Sequence, residues 1–257
     1  MVKGLYTAYT GMINEQHRMD VLTNNLANAS TVGYKKEGAT SQAFDEVLAY
    51  KIKDTTEAAP VKPLGGISLG VKIGENYTDY SQGSLRETGN TYDVALSGTG
   101  FFTVEFKNKA GQTSTKYTRD GSFTLNKEGY LVTKDGDYVL GTNGRIKLNP
   151  LETASIDKMG NIYQNDVRVA TLDITDFEDY NYLEHYGENY YQTVEGAKEK
   201  KGDYQTVSGY LEMSNMQVVS EMVEMISVSR AYETNQKLIQ TYDGTLEIAA
   251  NQIGKVK

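Results

Sequence analysis

The sequence predicts an α+β protein in which helices at the two chain ends pair as a coiled coil and flank an inserted, glycine-rich antiparallel all-β domain. Three observations predict it. Leu5, Met12, Met19 and Leu26 recur every seven residues near the start. Val218, Met225, Tyr232, Ile239, Leu246 and Ile253 do the same near the end. Of the 25 glycines, 19 fall between residues 60 and 210, where turn dipeptides separate short runs rich in β-branched and aromatic residues.

The first element is a heptad helix over residues 1–30. Ala8 and Leu22 occupy the interleaved positions of its seam, and Glu15 is the one break. Asn24, Asn25, Asn28, Ser30 and Gly33 end it, because Asn and Gly favour turns and helix C-caps. Residues 31–66 show weak periodicity and read as an extended or irregular linker, closed by Pro60, Pro63 and Gly65-Gly66.

The β domain is expected over residues 67–211. Asp120-Gly121, Glu128-Gly129, Asp135-Gly136 and Asn143-Gly144 recur about every eight residues, a spacing that suits an antiparallel meander. The last element is a second heptad helix over 212–257, pairing with the first. Val228, Tyr242 and Ala249 form its second stripe, with Asn235 the polar member. Ser214 and Gln217 have capping-box spacing, Met213 and Val218 can form a hydrophobic staple, and Gly254 and Lys255 close the far end. Glu221 and Glu224 lie near the positive end of the helix dipole.

Composition narrows the function. The net charge of −8 disfavours nucleic acid, which needs clustered Lys and Arg. The chain holds no cysteine, so disulfides, thiolate catalysis and zinc–thiolate sites are excluded. No apolar run approaches the ~20 residues of a membrane span. Gly11, Asn14, Glu15, Gln16 and His17 interrupt the start too early for a signal peptide, so any export is expected to proceed without a cleaved secretory signal.

The motifs that could carry chemistry fail on context. Gly66-Ile67-Ser68-Leu69-Gly70 matches G-x-S-x-G, but it follows a Pro-Gly linker and precedes a strand-like run, not a helix. His185 is the one histidine downstream, and His17 lies on a polar flank of the first helix. The Asp-Gly pairs lack the spacing and closing glutamate of a calcium loop. Tyr180, Tyr182, Tyr186, Tyr190 and Tyr191 crowd one acidic stretch, which suits either a protein interface or a half-buried loop. No catalytic residue, metal, cofactor or small-molecule substrate is expected.

Longer strings carry a resemblance. Gly4-Leu5-Tyr6-Thr7-Ala8, Thr10-Gly11-Met12, Asn24-Asn25-Leu26-Ala27-Asn28 and Gly33-Tyr34-Lys35 resemble the N-terminal signature of bacterial flagellar rod and hook proteins. Glu87-Thr88-Gly89-Asn90, Asp93-Val94-Ala95-Leu96, Gly100-Phe101-Phe102 and Tyr117 to Phe123 resemble their β-domain signature. Leu211-Glu212, Ser214-Asn215, Glu221-Met222-Val223, Arg230 to Asn235 and Asn251 to Gly254 resemble the C-terminal one. The segment Ala29-Ser30-Thr31-Val32 departs from the pattern, and residues 39–66 match least. The resemblance implies a basal-body rod subunit, distal or proximal, that polymerises into a helical axial tube transmitting motor torque toward the hook. It implies export by the flagellar type III apparatus, contacts with neighbouring rod and hook subunits, and residence where the basal body crosses the cell envelope and periplasmic space. The alternatives are a hook-type or other axial subunit, a surface adhesin with a coiled-coil stalk, and a hydrolase using Ser68.

Overall fold

The computed structural model describes residues 2–45, 47–52, 61–108, 111–187 and 189–252. They form two compact units, one drawn from residues 1–27, 37–79 and 217–257, the other from 28–36 and 80–216.

The first unit holds α1 (Val2–Ala27), β1 (Glu37–Ala43), β2 (Val47–Ile52), β3 (Val61–Ile67), β4 (Val71–Thr78) and α2 (Val218–Gln252). The strands form two antiparallel pairs, one nested in sequence within the other. β1 pairs with β4 from Glu37↔Thr78 to Ala43↔Val71, and β2 pairs with β3 from Val47↔Ile67 to Ile52↔Val61. Strands therefore occupy much of the stretch expected to be extended or irregular. Neither β1 nor β4 contains a fully buried residue, so no period-2 pattern is written into their sequence.

Both helices are shorter than expected at their inner ends. α1 stops at Ala27 and the chain turns at once, with the Thr31 N–H donating to the Asn28 carbonyl at 3.1 Å. α2 starts at Val218, not 212, and its first helical hydrogen bond runs from the Glu221 N–H to the Gln217 carbonyl. The expected Ser214–Gln217 capping box is not made. The Ser214 hydroxyl accepts instead from the Met216 N–H, two residues on, at 3.3 Å. At 35 residues α2 is about 52 Å long. Ile253, Gly254 and Lys255 lie outside the described residues.

The second unit is all-β. In chain order it holds β5 (Leu85–Glu87), β6 (Val94–Gly98), β7 (Phe101–Lys107), β8 (Thr113–Thr118), β9 (Thr124–Leu125), β10 (Leu131–Val132), β11 (Tyr138–Gly141), β12 (Gly144–Arg145), β13 (Ala154–Ile156), β14 (Asn161–Gln164), β15 (Val167–Thr171), β16 (Ile174–Phe177), β17 (Leu183–Tyr186), β18 (Tyr190–Thr193), β19 (Glu199–Lys200), β20 (Tyr204–Ser208) and β21 (Tyr210–Glu212). The main sheet runs β17-β18-β8-β7-β11-β10-β9, with β12 on β11 and with β16 pairing β7 and β19. β13-β14-β15 is a separate meander, and β6–β20 and β5–β21 are further pairs. The expected boundary at residue 67 moves: the body starts at Tyr80, takes in residues 28–36, and leaves residues 67–79 with the helices.

β7 shows how period-2 alternation builds two cores. Phe102 and Val104 face one side with Val94, Leu96, Ile162 and Leu172. Phe101 faces the other, against Tyr191 at 5.4 Å between ring centroids and edge-on to Tyr180 at 6.0 Å. Tyr180 and Tyr191 thus belong to an aromatic core with Tyr117 and Phe177, and Tyr190 joins the first core, while Tyr182 is exposed. The tyrosine-rich stretch is largely interior. Burial, with the Glu199 carboxylate beside it, pushes the Tyr117 phenol up to about 12.

Of the four expected turn glycines, Gly129, Gly136 and Gly144 take positive φ at tight turns. Gly121 does not. It is required because a side chain there would place Cβ 1.7 Å from the Val94 carbonyl oxygen, where the two backbones cross.

Candidate assembly surfaces on the paired helices

α1 and α2 pack antiparallel in a constant register. A Cβ on Gly4 would meet the Tyr242 hydroxyl at 2.4 Å, and one on Gly11 would meet Asn235 Nδ2 at 3.1 Å. Arg18 donates to Glu224 at 3.1 Å and to Glu15 at 3.2 Å, and the Asn25 amide reaches the Glu221 carboxylate at 3.5 Å. Gly4, Gly11, Arg18 and Asn25 therefore face α2 along one stripe, each seven residues from the last. The answering stripe on α2 is Glu221, Val228, Asn235 and Tyr242, of which Glu221 and Val228 are buried. Small residues on α1 let the axes approach closely, and the charged and amide groups fix the register.

The sequence-predicted seam residues flank this contact. Ala8 and Leu22 are buried, while Leu5, Met12, Met19 and Leu26 are half-buried. On α2, Met225, Tyr232, Ile239 and Tyr242 are half-buried, and Val218 and Leu246 are exposed. Ile253 is outside the described residues. Hydropathy could not find the stripe of Gly4, Gly11, Arg18 and Asn25, because none of the four is apolar. Its seven-residue spacing was the signal available.

The ribbon covers another face of α1. Asn14 and Ser41 exchange hydrogen bonds at 2.9 and 3.1 Å, His17 pairs with Asn76 at 2.9 Å, and Tyr6 packs near Phe44. Asn25 is the clamp between helix and strand. Its side chain accepts from the Glu37 N–H at 3.0 Å and donates to the Glu37 carbonyl at 2.8 Å. The other motif residues serve the exit from α1. The Asn28 side chain accepts from the Thr31 hydroxyl, and Gly33 takes φ +72° with no room for a Cβ, the Asp120 nitrogen lying 2.4 Å from where one would sit. Asn24 and Ala27 are exposed on the last turn, and Leu26 is half-buried.

Two apolar stripes point away from the helix pair. Val219, Met222, Val223 and Ile226 are 77%, 50%, 63% and 55% exposed, spaced i, i+3, i+4, i+7 on the side of α2 opposite Val228. Tyr6, Tyr9 and Ile13 form a shorter stripe on α1. A groove of about 520 Å³ runs between the helices, lined by Gln16, Met19, Asp20, Ser229, Tyr232, Glu233 and Gln236. The Ser68 hydroxyl lies 3.4 Å from the Phe44 carbonyl and 3.3 Å from the Gly70 carbonyl, which accounts for it as part of the loop between β3 and β4. His185 packs edge-on against Tyr191 in the second unit.

Helices that turn continuous apolar stripes outward, joined by chain to a β body, define a structural subunit built to associate. Comparison with known proteins makes the class specific. Residues 5–35 match the flagella basal body rod protein family, residues 95–164 the flagellar hook protein FlgE/F/G D1 domain, and residues 207–253 the flagellar basal body rod FlgEFG protein C-terminal family. The chain is 33% identical over 271 residues to the flagellar hook-basal body complex protein FlhO of Bacillus subtilis (strain 168), covering 100% of both chains. It is 34% identical to the flagellar basal-body rod protein FlgG of the same organism, covering 98% of this chain and 99% of the relative. It is 33% identical to FlgF, the flagellar basal-body rod protein of Caulobacter vibrioides, over 100% of both.

The chain belongs to the flagellar basal-body rod protein family. It is a structural, non-enzymatic rod subunit of the flagellar basal body, assembling there with other rod and hook subunits.

Proposed function

We propose that this subunit polymerises with copies of itself, and with neighbouring rod and hook subunits, into a helical axial tube that carries motor torque toward the hook. Each α1–α2 pair acts as an antiparallel coiled coil, with Leu5, Ala8, Met12, Met19, Leu22 and Leu26 on one helix and Val218, Met225, Tyr232, Ile239, Tyr242, Leu246 and Ile253 on the other supplying seam and assembly contacts. The observation that carries this reading is the stripe Val219-Met222-Val223-Ile226, more than half of whose apolar surface one chain leaves in water. Stacked neighbours remove it, and because the α1 and α2 stripes differ, their contact is heterologous and propagates instead of closing on itself. Delivery by the flagellar type III apparatus to the periplasmic span of the basal body, without cleavage of a signal, belongs to the same proposal.

The test uses surface charge. Met222→Asp with Ile226→Asp, and separately Leu246→Asp, change exposed side chains and are expected to leave the chain folded but absent from purified basal bodies, with motility lost. Lys237→Asp, off the seam, is expected to assemble much better. Wild-type incorporation of both acidic variants would sink the reading.

A further inference from the structure

We propose that Lys35, Arg119 and Glu212 form a closure lock that keeps the β body open until both chain segments crossing it are in place. The three come from widely separated parts of the sequence and meet inside the second unit. Lys35 Nζ donates to Glu212 Oε1 at 2.6 Å, and Arg119 donates to Glu212 Oε2 at 3.2 Å. The side chains of Lys35 and Glu212 are 0% exposed and that of Arg119 is 4% exposed.

Each charged group also holds backbone. Lys35 donates to the Ser81 carbonyl at 2.8 Å, Arg119 to the Gly98 carbonyl at 2.9 Å, and Glu212 Oε1 accepts from the Gly83 N–H at 2.9 Å. The two crossing segments are tied directly as well. The Gly33 N–H donates to the Glu212 carbonyl at 2.8 Å, and the Lys36 N–H donates to the Asn215 side chain, which in turn donates to Ser81.

The order of the chain gives the lock its logic. Lys35 lies in the segment that enters the body before its first strand, Arg119 lies within the main stretch, and Glu212 is the last residue of its last strand. A chain lacking residue 212 holds the cations but not the carboxylate that bonds both. Closing the body around charge stripped of that partner carries a large desolvation cost. The body therefore closes late, as one event, when the final strand arrives. Before that the chain stays open along its length, the state in which a chain can be moved as an extended thread.

The experiment compares amide exchange in the full-length wild type, Glu212→Gln, Lys35→Met, the double variant and Glu105→Gln, which breaks only an exposed pair with Arg145. The lock predicts that Glu212→Gln and Lys35→Met each speed exchange at the deep β7 amides of Phe102 and Val104 by roughly a hundredfold or more. Gly83, Gly33 and those β7 amides open together, while Glu105→Gln stays near wild type. The double variant loses no more than the worse single one, because the charges work as one unit. Loss of protection confined to Gly33 and Gly83, with β7 intact, would overturn the lock, as would losses that simply add. If either single variant fails to fold, Glu212→Asp keeps the carboxylate with a shorter reach. It is expected to fold and to open β7 by an intermediate factor, and wild-type exchange in that variant overturns the proposal.

Discussion

At the residue scale, polar side chains do the work that apolar ones are expected to do. Asn25 sits within a helical seam, is fully buried, and serves the backbone of Glu37 on both its donor and acceptor sides. An asparagine at a helix end reads from sequence as a turn former, which hides this role. Removing it leaves two strand-end groups without their partner, at roughly 1–3 kcal/mol. Asn25→Ala is therefore expected to lower the stability of the helical unit by that amount, measured as the midpoint of helical circular dichroism on heating. An unchanged midpoint would show that water replaces the clamp at no cost. Gly121 makes the same point for glycine: its place beside an aspartate suggests a turn, whereas its function is the close crossing of two backbones.

At the scale of elements, the sequence was most informative where one face is dry and least where none is. The helices at both ends and the meander of β9, β10 and β11 were legible, because heptads and turn dipeptides record them directly. The β1–β4 ribbon was not, since two strands without a fully buried residue impose no alternation. The helix pair was legible in part. Ala8 and Leu22 are buried, but the stripe whose contacts with α2 can be traced consists of Gly4, Gly11, Arg18 and Asn25, which hydropathy scores as surface. The two stripes of α2 separate energetically. Val228 is 2% exposed against α1 and Val219 is 77% exposed on the far side. Val228→Ala is expected to destabilise the unassembled chain by about 1–3 kcal/mol through lost burial and a small cavity. Val219→Ala is expected to stay within about 0.5 kcal/mol. Chemical denaturation of both variants at low concentration checks this, and equal losses would mean that the two faces are not distinct in the single chain.

At the scale of the whole molecule, each compact unit is assembled from chain segments that lie far apart in sequence. The sequence suggests a β domain inserted between two helices with a linker before it. The structure instead passes the chain out of α1 into the β body over residues 28–36, back to the helices over 37–79, and into the body again from Tyr80. Hydropathy cannot show this interleaving, because segment 28–36 is short and sets its two buried apolar side chains, Val32 and Tyr34, among polar anchors at Gly33, Lys36 and the buried Lys35. Its consequence is a chain that should survive cutting. The loop at Ser68, between β3 and β4, is exposed, and a protease site placed there divides the molecule into a short N-terminal piece and a long remainder. The short piece carries α1, which packs on α2 in the first unit, and residues 28–36, which lie inside the second. Two separate sets of buried contacts must then fail before the pieces part. The expected result is that the cut chain elutes in size exclusion as one species with the circular dichroism of the intact protein, and that the pieces separate only in denaturant. Glu212→Gln in the same cut chain is expected to lower the denaturant needed. If the pieces separate in plain buffer, the interleaved contacts are too weak to define the units, and the molecule is better described as a β domain threaded on an independent helical pair.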